Sequence, residues 1–176
     1  MNFFKAATTP APLLEVPAGL WAELMTHLRE QGAGVRESGA FLLGRKTDAG
    51  RVVQRFVPYE QLQPDAFSND YVSLKADSFA KLWEVCRATG LTVVADVHTH
   101  PFGPGQSRSD RTNPMVALNG HIALIVPRFA KGNPCPIELG LYVYQGNHQW
   151  ASYSGSDVGP SCDLPKLEFF NDRVQC

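Results

Sequence analysis

Residues 91–101 read Leu-Thr-Val-Val-Ala-Asp-Val-His-Thr-His-Pro. The first eight of them are mostly apolar and rich in β-branched side chains, a pattern typical of a strand that is covered on both faces. Because side chains alternate between the two faces of a strand, Asp96, His98 and His100 are predicted to share one face. The stretch therefore predicts a central strand whose carboxyl end carries two imidazoles and a carboxylate.

The elements on either side of this strand are predicted from periodicity and turn residues. Leucines spaced four residues apart indicate a helix from Pro17 to Gly32, and a second helix from about Asp77 to Gly90 leads into the central strand. Helices interleaved with a mixed, partly antiparallel sheet predict an α/β (α+β) domain. The remaining strands are predicted at 37–45, 51–57, 71–75, 121–126, 137–144 and 148–153, with an exposed loop at 58–70 and a short helix within 107–119.

Length and charge limit the classes to which the chain can belong. Its 176 residues predict one domain, at 1–153, followed by a weakly structured tail at 154–176. The 16 Lys and Arg residues balance the 17 Asp and Glu residues, so the chain lacks the positive charge typical of proteins that bind nucleic acids or anionic lipids. Its longest apolar run, Ile122–Val126, is far shorter than the ~20 residues of a membrane-spanning helix. A cytoplasmic protein with no nucleic-acid or membrane partner is expected.

The four cysteines are scattered and include no Cys-x-x-Cys pair. This spacing fits neither a disulfide framework nor a zinc ribbon. The cysteines are therefore expected to be small packed or terminal thiols.

A cluster of metal-ligating side chains is predicted after the central strand. His98 and His100 share one face, and Asp110 lies at the start of the following helix. Three nitrogen or oxygen ligands with a fourth position left open are typical of catalytic zinc, whereas structural sites are closed by four protein ligands. The residues alone also allow a second interpretation. In it, the histidines are hydrogen-bonded residues at a strand end, and Ser107 and Asp110 form a capping box.

Three motifs occur in a fixed order along the chain. Glu37-Ser-Gly-Ala-Phe-Leu-Leu-Gly44 is followed about sixty residues later by His98-Thr-His-Pro101, and then by Ser107-Arg-Ser-Asp110. This combination resembles the JAMM motif of the JAB/MPN metalloproteases, and its compact form resembles the prokaryotic JAB branch. The sequence differs from the usual motif in a loop before the serine that is one residue shorter. It also differs in Gln106, which stands where a proline is common.

The resemblance implies a fold and a role for each motif residue. The fold would be the JAB/MPN-like (cytidine-deaminase-like) domain, a mixed curved β-sheet flanked by helices. His98, His100 and Asp110 would hold Zn²⁺. Glu37 would act as the general base, taking a proton from the attacking water and delivering it to the leaving amine. Ser107 would donate a hydrogen bond to the oxyanion of the tetrahedral intermediate.

The resemblance also implies a class of substrate. Enzymes with this motif cleave peptide or isopeptide bonds after the C-terminal tail of ubiquitin or a ubiquitin-like protein, in deconjugation or in precursor maturation. The expected partners are a ubiquitin-like protein and its conjugates, with E1-like and E2-like conjugation enzymes, including those of antiphage defence systems. An extended Gly-Gly tail would pair with a sheet edge, bordered by residues 58–70 and 128–136. No oligomeric state is indicated.

Two other functions are compatible with parts of the pattern. A metal-dependent phosphoesterase or nuclease can use His-x-His, but such sites usually hold two metals about 3.5–4 Å apart and need further ligands from later strands. A non-catalytic MPN scaffold would bind partners without metal, although such scaffolds typically lose the ligands that are present here.

The remaining charged residue of the central strand has two possible roles. Asp96 is expected either to accept a hydrogen bond from a ligand imidazole or to be solvated or salt-bridged. The histidines outside the motif, His121 among them, are expected in packing or at the surface.

Overall fold

The computed structural model describes residues 13–68, 71–154 and 167–170. In these residues, eight strands form one mixed sheet in the order β10-β1-β3-β2-β6-β7-β8-β9, and β4 pairs with β5. The helices are α1 (Ala18–Gly32), α2 (Tyr59–Leu62), α3 (Ala76–Thr89) and α4 (Arg108–Thr112). The strands are β1 (Leu14–Pro17), β2 (Gly39–Thr47), β3 (Gly50–Pro58), β4 (Phe67–Ser68), β5 (Tyr71–Val72), β6 (Thr92–Thr99), β7 (Ile122–Val126), β8 (Gly140–Tyr144), β9 (Trp150–Ser154) and β10 (Leu167–Phe170).

The predicted central strand is β6, which pairs with β2 in antiparallel and with β7 in parallel orientation. Both orientations also occur elsewhere in the sheet, since β1 runs parallel to β3 whereas β8 is antiparallel to β7. The predicted α/β (α+β) architecture with a mixed sheet is confirmed.

One face of the sheet is covered by α1. The helix buries Trp21, Leu24 and Leu28 in a core that includes Leu42 of β2 and Leu124 of β7. Full burial of a leucine contributes about 1.5–3 kcal/mol, so this apolar stripe fixes the helix across the middle of the sheet.

The opposite face is covered in two parts. On the β2 side, Leu82 of α3 packs in a cluster with Phe41 and Tyr59. On the β7–β9 side, α4 is attached to the sheet by Trp150, whose Nε1 donates to the Arg111 carbonyl at 3.2 Å. The carboxyl end of β6 lies between these two covers, and this arrangement positions the candidate site.

A β-bulge in β6 determines which face its polar residues occupy. Leu42 pairs with Ala95 but Leu43 pairs with Val93, so Val94 is an extra residue opposite β2. Val94 and Ala95 consequently both pack in the α1 core, although they are consecutive. The alternation restarts after the bulge, so Asp96 begins the run that faces away from α1.

The predicted exposed loop at 58–70 is wrong for its described part. The chain instead forms α2, and Tyr59, Leu62 and Ala66 are buried. Prolines in this segment suggested a loop, but its three apolar side chains fill the space beside Phe41 of β2. Residues 69 and 70 lie outside the described residues.

Other differences occur at element ends and in the tail. The helix predicted within 107–119 is limited to α4, before Pro114, and β1 was not predicted because prolines surround it. Residues 167–170 of the predicted tail form β10, which pairs in parallel with β1. The rest of the tail after residue 154 lies outside the described residues. Among the residues described, no helix is both long and apolar enough to cross a bilayer.

The interpretation of every cysteine as a thiol is corrected at Cys135. This residue is disulfide-bonded, whereas Cys86 is free. The interpretation rested on the spacing of neighbouring cysteines, which is a signal for motifs such as Cys-x-x-Cys and does not test other pairings.

Candidate metal centre and adjoining pocket

Side chains with metal-ligating atoms converge at the carboxyl end of β6. His98 belongs to this strand, His100 follows it directly, and Asp110 lies in the first turn of α4. His98 Nε2 is 3.0 Å from His100 Nε2 and 3.4 Å from Asp110 Oδ1. His100 Nε2 is 3.3 Å from Asp110 Oδ2. The three predicted ligands are thus brought together by the fold, and the two imidazoles are nearly inaccessible to solvent, at 8% and 7% exposure.

The cluster has the donor types of a zinc site. Zinc binds imidazole nitrogen and carboxylate oxygen at about 2.0–2.2 Å, so neighbouring ligands of a tetrahedral site lie about 3.3–3.6 Å apart. In this cluster the two imidazole nitrogens are 3.0 Å apart, and they lie 3.4 and 3.3 Å from different oxygens of Asp110. Two imidazoles and one carboxylate are a donor set that suits zinc, and one ligand atom from each residue lies within 4.8 Å of the others.

The electrostatics of the cluster favour a charged carboxylate. Burial by itself raises the pKa of the Asp110 carboxyl, but its hydrogen bonds with His100 and His98 outweigh burial and hold that pKa well below its usual range. Burial likewise lowers the pKa of His98, and the hydrogen bond and charge of Asp110 reverse this, so that the pKa of His98 is raised. The cluster therefore has a strong attraction for positive charge, whether a proton or a metal ion supplies it.

Glu37 lies beside the ligands, with Oε1 at 3.7 Å from His100 Nε2. Its backbone is attached to the histidine segment through the next residue, Ser38. The Thr99 N–H donates to the Ser38 carbonyl at 2.9 Å, and the Ser38 N–H donates to Thr99 Oγ1 at 3.0 Å. This pair of bonds fixes the start of β2 to the residue between the two histidines and so holds the Glu37 carboxylate at the cluster.

Ser107 and Asp110 form the capping box that was one of the two sequence interpretations. Asp110 N–H donates to Ser107 Oγ at 3.1 Å, and Ser107 N–H donates to Asp110 Oδ2 at 2.6 Å. The same Asp110 carboxylate also faces both histidines, so capping and ligand positioning occur together. In the capping bond the Ser107 hydroxyl oxygen is the acceptor, and its side chain also hydrogen-bonds the Asp110 carboxylate.

A left-handed turn fixes the backbone after the histidines. Arg128, Phe129 and Ala130 have φ values of 55°, 50° and 60°, and each such residue costs about 1–2 kcal/mol. Within this turn, Phe129 N–H donates to the His100 carbonyl at 2.9 Å, and Arg128 N–H donates to the Phe102 carbonyl at 3.2 Å. The strained turn thus anchors the segment that carries one imidazole and begins the loop to α4.

Asp96 is buried, at 2% exposure, and is not solvated. Its Oδ1 lies 2.5 Å from His121 Nε2, and its Oδ2 accepts a hydrogen bond from the Tyr59 hydroxyl at 3.2 Å. The salt-bridged alternative is therefore the one that the structure favours, since both oxygens are engaged away from the ligand imidazoles. Tyr59 packs over Gly39, where an added Cβ would lie 2.4 Å from the ring, so a glycine is required at this point of β2.

The replacement His121→Ala is expected to destabilise the protein by about 3–5 kcal/mol, because it leaves the buried Asp96 carboxyl without its partner. Denaturant unfolding measures the change. The triple replacement Asp96→Leu, His121→Leu and Tyr59→Phe is the control, and it should restore most of the loss because it removes the Tyr59 hydroxyl together with its acceptor. A single-variant cost below about 1 kcal/mol would contradict a tightly coupled pair.

A pocket adjoins the ligand set, between α4 and the sheet. One side of it is polar and includes Glu37, His98, Ser107 and Asp110. The space open to water in it is about 100 Å³, several times the roughly 10–15 Å³ that one water needs. The apolar side is formed by Val72, Pro114, Met115, Ala123 and Trp150, and the polar side chains of Gln106, Ser109 and Asn113 also line the pocket.

Sequence reasoning missed both the apolar wall and the role of His121. One signal was present: a carboxylate in a buried strand requires a partner, and His121 stands directly before the apolar strand β7. Nothing local in the sequence connects Met115 or Trp150 with the histidines, because the register of four neighbouring strands brings Trp150 to the site.

Comparisons with known proteins agree with this geometry. Residues 17–134 match the family described as prokaryotic homologues of the JAB domain. A protein of Sinorhizobium fredii named as a probable metalloprotease is 26% identical over 116 residues, which cover 66% of this chain and 72% of the relative.

The fold also resembles solved structures. A solution structure from Desulfitobacterium hafniense aligns with a TM-score of 0.61 and 17% identity over 90% of this chain and 94% of the other. A second, from Salinibacter ruber, aligns with a TM-score of 0.56 and 20% identity over 86% and 94%. At these identities the likeness concerns the fold alone.

Proposed function

The chain belongs to the family of prokaryotic homologues of the JAB domain, and on this basis we propose that it is a zinc-dependent metalloprotease of the JAMM type. The observation that carries the proposal is the convergence of His98, His100 and Asp110 within 4.8 Å of one another, with the Glu37 carboxylate 3.7 Å from one imidazole. The name of the Sinorhizobium fredii relative supports the same class of reaction.

His98, His100 and Asp110 would hold the ion. A zinc ion bound by such a set supplies a nucleophile at neutral pH and polarises a carbonyl group. Glu37 takes the proton of the attacking water and returns it to the nitrogen of the leaving amine. Ser107 directs its hydroxyl proton at the oxygen of the carbonyl group under attack, whose negative charge grows in the transition state.

The proposed substrate is the bond that follows the C-terminal Gly-Gly tail of a ubiquitin-like protein, in a conjugate or in a precursor. E1-like and E2-like enzymes of a bacterial conjugation or antiphage defence system are the corresponding partners. Glycines suit such a site because they let the scissile bond approach a crowded cluster of side chains. The segment 128–136 remains a candidate border of the groove, since Arg128 bonds the loop after the histidines.

The two alternative functions have less support. A two-metal phosphoesterase requires a second group of ligands, whereas the described part of the chain has one group of three or more potential ligands. A non-catalytic scaffold has no need for a carboxylate beside the ligand set, whereas Glu37 lies 3.7 Å from His100.

The replacement Ser107→Gly is expected to lower kcat by about 10²–10³, because it removes a donor to the developing oxyanion. Glycine at an N-cap costs only a few tenths of a kcal/mol relative to serine, so α4 should keep its stability. Steady-state kinetics and thermal unfolding measure the two effects. Thr112→Ala is the matched control, as it removes a hydroxyl of α4 that donates to helix carbonyls and accepts from the neighbouring Asn113 side chain, away from the clustered ligands. A rate loss equal to that of Thr112→Ala would contradict the assigned role.

Peptides that end in Gly-Gly and are joined by an amide bond to a reporter amine test the reaction. Zinc-loaded protein should cleave after the second glycine, and chelation followed by zinc addition should stop and restore the reaction. A second substrate is a ubiquitin-like protein that carries a C-terminal extension. If the zinc-bound protein cleaves neither this substrate nor any of the peptides, the proposal is contradicted.

A further inference from the structure

We propose that the apolar side of the pocket binds the aliphatic chain attached to the leaving nitrogen and thereby selects the bonds that are cleaved. This inference rests on the proposed function, and it adds a specificity-determining subsite formed by Val72, Met115, Ala123 and Trp150. The ligand would be an uncharged carbon chain, supplied by the stem of a lysine in a conjugate or by an apolar side chain in a precursor.

The wall is built around a small residue on a rigid strand. Ala123 of β7 pairs with Asp96 of β6 on one side and with Tyr142 of β8 on the other. It retains 7% exposure, and its short side chain leaves the space that a larger one would fill. Met115, in the chain after α4, is partly exposed along the same pocket.

Trp150 gives the wall a fixed aromatic face. Its ring packs edge-on against Tyr144 with 4.9 Å between ring centroids, and its Nε1 bonds the Arg111 carbonyl in α4. Because the indole is held from both sides, the aromatic wall is formed before substrate arrives and little ordering is needed on binding.

Three carboxylates line the pocket, and two of them, Glu37 and Asp110, belong to the metal cluster or lie beside it. Asp96 also lines the pocket, but its two oxygens are engaged by His121 and Tyr59. It therefore offers no unpaired charge to a lysine or arginine head group. Burial of methylene groups against this wall favours binding because it removes apolar surface from water.

We infer that the pocket receives the part of the substrate attached to the leaving nitrogen. In the proposed substrate the acyl side ends in two glycines, which have no side chains to fill it. Glu37, the residue proposed to return a proton to the leaving nitrogen, lines the same pocket. A chain attached to that nitrogen therefore begins beside Glu37 and extends toward Met115 and Ala123.

Binding of the leaving group alone can be followed by NMR. Zinc-loaded protein with 13C-methyl methionine has three labelled residues, of which Met115 lines the pocket and Met25 is buried beneath α1. Leucinamide and Nα-acetyl-lysinamide should shift the Met115 methyl signal, assigned with Met115→Leu, and leave Met25 unchanged. Glycinamide should shift Met115 much less. Equal shifts with all three amines, or none, would overturn the subsite.

Cleavage then separates the subsite from the function. We expect kcat/KM for Gly-Gly joined to leucine, or to the ε-amine of lysine, to exceed that for Gly-Gly-Gly by roughly 10-fold or more. Comparison of the lysine-linked and leucine-linked peptides shows whether the enzyme prefers a lysine stem, as in a conjugate, or an apolar side chain, as in a precursor. Ala123→Leu should bring this ratio close to one, whereas Ala88→Leu, the same change at an exposed position of α3, should leave it unaltered.

The outcomes are distinguishable. Cleavage of all three peptides at equal rates overturns the subsite and leaves the protease intact. No cleavage of any peptide contradicts the proposed function, and the Met115 methyl shift then decides separately whether the pocket binds aliphatic amines.

Discussion

Glu37→Gln should reduce the hydrolysis rate by about 10²–10⁴ while leaving the metal bound. Glutamine has nearly the same size as glutamate, but its amide cannot accept the proton of the attacking water or return it to the amine. Glu37 is not one of the three clustered ligands, although its carboxylate lies 3.7 Å from His100 Nε2. Single-turnover kinetics and elemental analysis of the same preparation measure the two properties together.

The matched control for this variant is Glu84→Gln, at an exposed position of α3. It makes the same chemical change at a residue that belongs neither to the cluster nor to the pocket lining, and it should have wild-type kinetics. Loss of metal together with activity in Glu37→Gln would make Glu37 a ligand, and a rate within about 10-fold of wild type would remove it as the base.

His100→Ala should lose both the bound metal and all hydrolysis. His100 Nε2 lies 3.0 Å from His98 Nε2 and 3.3 Å from Asp110 Oδ2. The replacement therefore removes one of the three proposed ligands. Zinc should also cease to stabilise the fold, because a ligand raises the free energy of unfolding only while it binds the native state. Isothermal titration with zinc and thermal unfolding with and without zinc measure these effects.

His148→Asn serves as the control for His100→Ala. His148 is exposed, and its φ of 57° suits asparagine. This variant removes one histidine without touching the cluster and should bind zinc as the wild type does. Zinc affinity that is unchanged in His100→Ala would contradict the assigned ligand set.

Much of the fold was predictable because, for most elements, the apolar runs and the turn residues of this chain indicate the same element boundaries. The strand that became β6 was predicted from its composition, and the shared face of Asp96, His98 and His100 from alternation. The bulge at Val94 was not predicted, yet it lies before these three residues and leaves their alternation unchanged. The prediction of an exposed loop at 58–70 was wrong because it relied on local turn residues. Tyr59 and Leu62 are buried instead, and their burial depends on neighbours distant in the chain.

The candidate site likewise has one part that the sequence predicted and one part that it did not. Motif spacing and the family resemblance predicted the three clustered residues, Glu37 and Ser107. The structure brings these five together, and all of them except His100 line the adjoining pocket. The pairing of Asp96 with His121 and the wall formed by Met115 and Trp150 depend on strand register and on the placement of α4. Such contacts join residues from separate elements, and one sequence contains no local pattern for them.

The central claim is that one metal ion is held by His98, His100 and Asp110. The most direct measurement is the metal content per chain of wild-type protein purified without added metal and again after reconstitution with zinc. The account predicts one zinc ion per chain. Two ions per chain would favour the two-metal phosphoesterase, and none after reconstitution would leave a scaffold that keeps the motif without the chemistry.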